Sequence, residues 1–166
     1  MDNPVIELGK KAYGLLVKVG DVLQHLLLFV FRVHWGLQFF QTGMGKLQNH
    51  EKTAKFFTGL GIPLPDLNAW IAGSVECFGG LLLAIGFATR PVGVLLAFTM
   101  CVAYLTVEKH LEAVKNIFKD ADPFTEATPF LFLTTALLVI CFGPGKVSVD
   151  YLLGKFVFNK SDEKSE

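Results

Sequence analysis

Apolar residues gather along this chain into four long blocks, at about residues 22–43, 67–87, 91–107 and 127–143. Short stretches rich in charge, proline and glycine separate them. A helix needs roughly 20 mostly apolar residues to cross the hydrocarbon core of a bilayer. The first two blocks reach that length, and the last two approach it by adding a turn or by tilting the bundle. The pattern predicts an all-α fold, an integral membrane four-helix bundle. Each break has a local cause: "GLGIPLPD" at 59–66, "TRP" at 89–91 and "DADPF" at 120–124 place proline or glycine where a helix must stop. "TRP" leaves so little chain that spans two and three must run antiparallel as a hairpin, whereas the other connections have room for structure.

Both longer connections are amphipathic. In "EKHLEAVKNIFKD" the apolar residues Leu111, Val114, Ile117 and Phe118 recur at helical spacing with lysines and acids opposite, which predicts a helix lying at the headgroup boundary. "NHEKTAKFFTGL" repeats the pattern more weakly. The chain therefore divides into an N-terminal amphipathic segment (1–21), a membrane domain (22–153) and a charged tail (154–166). No small-residue cleavage site follows the first apolar run, so that span is expected to stay attached. With the termini inside, eight lysine and arginine side chains fall on the cytoplasmic side and six on the other, which predicts cytoplasmic termini.

Composition agrees with this pattern and removes several classes. Hydrophobic residues make up 52% and the mean hydropathy is +0.47, both outside the range of ordinary soluble domains. The formal charge is zero and both signs lie in the connections, so no basic face is offered to nucleic acid. The expected partner is the lipid bilayer. Cys77, Cys101 and Cys141 fall in three different spans without a CxxC pair and read as small buried apolar side chains. His25, His34, His50 and His110 lack a compact ligand spacing, so no metal site is expected.

The informative anomaly is charge inside the spans. An arginine at the centre of a spanning helix costs roughly 2.5–3.5 kcal/mol unless a partner or water answers it. Arg32 lies near the middle of the first block and Glu76 near the middle of the second, so equal depth predicts an intramembrane ion pair between them. At about 100° per residue, His25, Arg32, Trp35, Gly36, Phe39, Gly43 and Lys46 share one side of span one, with His34, Gln38 and Gln41 on the other. Ala72, Gly73, Glu76, Gly79, Gly80 and Leu83 share one side of span two, where small residues admit a neighbouring backbone. Two roles stay open for the pair: a lock between spans one and two, or the wall of a pocket that binds a small polar or quinone-like headgroup or relays protons. His110, just past span three with Tyr104 below it, lies where such a headgroup would be met. Arg90 and Asp150 follow spans two and four on one membrane side, where a surface ion pair would form.

Three motifs, in order, resemble a known family. "RVHWGLQFFQTGMGKL" is similar to the arginine, glycine, phenylalanine, glycine and lysine pattern that opens DoxX-type membrane proteins. "ECFGGLLLAIGFATRP" resembles their acid, double-glycine and arginine pattern, and "FGPGKVSVDYLL" resembles their ending. The match covers about residues 24–153. Position by position it falls on Arg32, Gly36, Phe40, Gly43, Lys46, Glu76, Gly79, Gly80, Gly86, Arg90, His110, Gly143, Pro144, Gly145 and Asp150.

The resemblance implies a bacterial inner-membrane protein related to the small subunit of thiosulfate:quinone oxidoreductase. It further implies quinone as a ligand and a partner oxidoreductase subunit as the electron source; a homo-oligomer stays open as a separate expectation. Relatives outside the redox group include a cargo-receptor branch, so a non-catalytic scaffold or receptor that recruits partner proteins stands as the alternative. A transporter is less favoured, because one four-helix unit offers little room. Arg32, Glu76, His110, Trp35, Lys46 and Tyr104 are the expected ligand or proton-relay residues. Gly36, Gly43, Gly79, Gly80, Arg90, Gly143, Pro144, Gly145 and Asp150 are the expected structural motif.

Overall fold

The computed structural model describes residues 4–158, with side chains over 7–156. Among them there are helices and no strands. In chain order these are α1 (Pro4–Gln48), α2 (His50–Gly59), α3 (Pro65–Ile85), α4 (Thr89–Thr106), α5 (Glu108–Lys115), α6 (Asp122–Thr125), α7 (Pro129–Phe142) and α8 (Val149–Leu153), followed by a single π-helical turn, Gly154–Phe158. α1, α3 and α4 are long and apolar enough to cross a membrane. α7 has 14 residues, about 21 Å of helix, and falls short of the roughly 30 Å core. α1, α3, α4 and α7 pack in that order around a ring, closed by α7 against α1. Phe39, Leu83, Leu96, Phe132 and Ala136 form the centre, where Phe132 meets Phe39 and Trp35 edge-on.

The N-terminal segment joins the first span, and the expectation for the cysteines changes. Residues 4–21 are continuous with the first span, because an isolated Gly20 weakens a helix without stopping it and no proline follows. Cys77 is buried, but Cys101 and Cys141 lie on the outer faces of α4 and α7. In a membrane an apolar side chain gains nothing by turning inward, so composition could not assign those faces. Both amphipathic connections contain a helix, α2 and α5, but α5 stops at Lys115, before Ile117 and Phe118.

The register of α1 against α3 is fixed by glycine. A Cβ on Gly36 would lie 2.8 Å from the amide nitrogen of Ala84, one on Gly80 would lie 2.6 Å from the carbonyl oxygen of Gly36, and one on Gly43 would lie 2.7 Å from Cys77 Cα. The antiparallel backbones thus touch at three successive levels, which only the loss of the side chain allows. In this register Arg32 stands level with Gly86 at the α3–α4 turn, and Lys46 stands beside Gly73, one turn from Glu76. Gly86, at φ 77°, ends α3 in the left-handed region, and the Arg32 guanidinium lies directly against it. Gly143 and Gly145 also take positive φ and turn the chain back after α7.

Candidate functional site

The predicted pairing of Arg32 with Glu76 does not occur. The carboxylate of Glu76, 2% exposed, accepts from Lys46 Nζ on both oxygens. Its level on α1 is Gly43, eleven residues and about 16 Å along the helix from Arg32. The expectation centred each apolar block in the bilayer, but α1 runs well past the end of α3, so its midpoint is not level with that of α3. Lys46 reaches the acid because its long stem spans the turn between Gly73 and Glu76.

The Lys46–Glu76 pair forms part of the wall of a groove of about 340 Å³ between α3 and α4. α4 contributes Leu95, Phe98, Thr99, Val102 and Thr106, successive positions on one helical face that extend over about 16 Å. α3 contributes Ile71, Ala72 and Val75, and α2 closes one end with Phe56, Phe57 and Leu60. α2 is held there by His50, which stacks on Trp70 at 4.6 Å and meets Asp66 at 3.2 Å. Ile71, Leu95 and Phe98 are at least half exposed or nearly so, and in a bilayer their outer surfaces face acyl chains. The groove is therefore open to lipid along its flank and lined by few polar groups. Nζ carries three donors and Glu76 occupies at most two, which leaves one for a ligand.

Arg32 belongs to a second cluster at the opposite end of the bundle. Its side chain is 1% exposed and donates from one terminal nitrogen to the carbonyl oxygen of Val147. The guanidinium also lies 5.8 Å from the centre of the Phe29 ring. Nε and the other terminal nitrogen are buried without a protein partner among the described residues. Nearby, Asp150 accepts from the amides of Ala88 and Thr89 at 2.7 and 2.8 Å and from the Thr89 hydroxyl at 2.6 Å. It caps the first turn of α4 and stabilises Ala88, whose φ of 47° is strained for a residue with a Cβ. The expected Arg90–Asp150 ion pair is absent: the carboxylate is turned to the α4 amides instead.

Burial pushes the Asp150 carboxyl upward, but the Thr89 and Ala88 hydrogen bonds and the Arg32 charge outweigh it and hold the group below its ordinary value. A carboxyl depressed in the folded state stabilises the fold above its unfolded pKa of about 3.9, and that gain is lost as pH falls through the folded value. Melting in detergent is expected to be flat from neutral pH to about 5 and to fall below it. Asp150→Asn is expected to cost about 1–2 kcal/mol at pH 7 and to blunt the acid limb. An acid limb unchanged by the substitution contradicts this role.

The remaining expected site residues, Trp35, Tyr104 and His110, do not line the groove. Trp35 packs on Phe132 in the core and stands edge-on to His34 at 5.1 Å. Tyr104, 3% exposed, stacks on Phe124 and donates to its carbonyl oxygen at 2.9 Å, and His110 meets the Tyr104 ring edge-on. These contacts tie α6 to α4, and neither Tyr104 nor His110 lines the groove. Sequence reasoning did not find the α2 residues of the groove or the Val147 carbonyl. The amphipathic face of α2 was the available signal for the former.

The DoxX family model matches residues 27–109, from the middle of α1 through α4, a range that includes Arg32, Lys46 and Glu76. "Inner membrane protein YphA" of Escherichia coli (strain K12) is 30% identical over 130 residues, covering 75% of this chain and 89% of YphA. This chain belongs to the DoxX family. Its similarity extends to "Inner membrane protein YqjF" of the same organism, 29% identical over 80% of this chain and 96% of YqjF. "Putative oxidoreductase CatD" of Bacillus subtilis (strain 168) is 42% identical over 79 residues, and that alignment spans 48% of this chain and 58% of CatD. No solved structure gives a significant match. This DoxX chain is an integral membrane protein with inner-membrane relatives, as its apolar helices require.

Proposed function

We propose that this DoxX chain is the quinone-interacting membrane component of a redox system, with the α2–α3–α4 groove as the binding site. The observation that carries the reading is a long apolar groove, open to lipid on its flank, with buried Glu76 and half-buried Lys46 paired in its wall. Ring and isoprenoid tail match the apolar lining, and a carbonyl oxygen matches the free donor of Lys46. The name of CatD as an oxidoreductase supports the same direction.

The residues of the chain bind and orient the ligand. Glu76 fixes Lys46 Nζ in the groove wall by accepting from it on both oxygens. The remaining N–H of Lys46 Nζ then donates a hydrogen bond to the ligand carbonyl oxygen and orients the ring in the groove. α2 shields that end from water. A bound quinone supplies the two-electron, two-proton acceptor, and a partner oxidoreductase supplies the electrons. Arg32 takes no part in this step at its distance along α1. The cluster at its own end of the bundle favours the scaffold alternative, in which charged residues serve only to fix helix ends.

Ala103 lines the groove, and Ala103→Phe is expected to fill it. Titration of purified protein with a short-tailed benzoquinone, read by tryptophan quenching, is expected to saturate for the wild type and to weaken about tenfold or more for the variant. Absence of saturable binding by the wild type favours the scaffold.

A further inference from the structure

Beyond the groove, a cleft of about 990 Å³ lies at the opposite end of the bundle, where the α3–α4 turn faces the chain after α7. Three cations, Arg90, Lys146 and Lys155, line it, and none has an ion-pair partner within 4 Å among the described residues. The acid in its wall, Asp150, directs its oxygens to Ala88 and Thr89 of α4. Buried Arg32 adds a further positive charge close enough to act on Asp150. The cleft is thus electropositive and supplied with unused donors.

Its position says what kind of anion it suits. The α3 C-terminus, the α4 N-terminus and the end of α7 all meet here, so the cleft lies at one boundary of the membrane-spanning region. Phe142 lines the cleft and also lines a second, almost wholly apolar groove of about 620 Å³ between α1 and α7. That groove carries Leu23, Leu27, Phe31 and Leu138 on its walls. Phe142 thus borders both a basic cleft at the boundary and an apolar groove beside it. A free anion would use only the first. A phospholipid uses both.

We infer that this cleft binds the phosphate of an anionic phospholipid, with Arg90, Lys146 and Lys155 around the headgroup and an acyl chain laid past Phe142 into the α1–α7 groove. The site is separate from the Lys46–Glu76 groove and stands whether or not a quinone binds there. Anionic headgroups gain from each nearby lysine or arginine, so a zwitterionic headgroup is bound less well.

Native mass spectrometry of the full chain released from detergent tests the inference, with phosphatidylglycerol, phosphatidylcholine and inorganic phosphate as probes. Phosphatidylglycerol is expected to be held about tenfold more tightly than phosphatidylcholine. The triple variant Arg90→Gln, Lys146→Gln and Lys155→Gln is expected to erase that preference. Phe142→Ala, which leaves every charge in place, is expected to weaken phosphatidylglycerol several-fold and serves if the triple variant does not fold. Equal retention of the two lipids overturns the proposal, as does a phosphatidylglycerol affinity unchanged by Phe142→Ala. Displacement of bound phosphatidylglycerol by equimolar inorganic phosphate would reassign the cleft to a free anion.

Discussion

Gly43→Leu is expected to leave no folded protein after extraction, while Gly45→Leu, two residues along the same helix, is expected to behave as wild type. The difference follows from what a side chain would meet. A Cβ at Gly43 would enter the backbone of α3, 2.7 Å from both Cys77 Cα and the carbonyl carbon of Glu76, whereas at Gly45 nothing lies within 4 Å. Backbone cannot step aside as a flexible side chain can, so the two helices must separate. Even a single methyl group should matter: Gly43→Ala is expected to cost about 2 kcal/mol or more, in the range of overpacked cores. Helix separation would also break the Lys46–Glu76 pair, one turn away. Size-exclusion profiles and melting curves in one detergent provide the check, and a Gly43→Leu protein that melts with the wild type would refute the packing.

The second large effect concerns Glu76. Removing one partner of a buried pair typically costs 3–5 kcal/mol, because the other charge stays behind uncompensated. The Lys46 side chain is 30% exposed and can withdraw in part, so Glu76→Ala is expected to cost about 3 kcal/mol, the lower end of that range. Removing the stranded charge as well should recover most of the loss, since apolar replacement of a whole buried pair is often neutral. Lys46→Met is therefore expected to rescue Glu76→Ala, whereas Arg32→Met is expected to add to the damage by leaving the Val147 carbonyl without its donor. Rescue by Arg32→Met and not by Lys46→Met would restore the pairing that equal depth in the bilayer suggested.

That mistaken pairing shows where the sequence was legible. The helices of the bundle, the tight hairpin between α3 and α4 and the glycine turn after α7 followed from apolar runs and from proline and glycine, whose effects are local. Arg32 and Glu76 were rightly placed on inward faces, because helical periodicity fixes direction around an axis. Position along the axis is another matter. It depends on how two helices slide past each other, and α1 of 45 residues has no defined midpoint against α3 of 21. The usable signal was the glycines themselves: packing Gly36 against Gly80 and Gly43 against the Glu76–Cys77 backbone sets Lys46 beside Gly73, within reach of Glu76, and carries Arg32 to the turn. The α2 wall of the groove lay further from view, since its place depends on the His50 contacts with Trp70 and Asp66, which no local pattern announces.

Photo-crosslinking with an azide-bearing quinone, followed by peptide mapping of the reconstituted protein, addresses the ligand site most directly. Label concentrated on Ile71–Val75 and on Leu95–Thr106, and reduced by excess unlabelled quinone, is the predicted result. Label scattered over all lipid-facing helices, or insensitive to competitor, would contradict a binding groove beside Lys46 and Glu76.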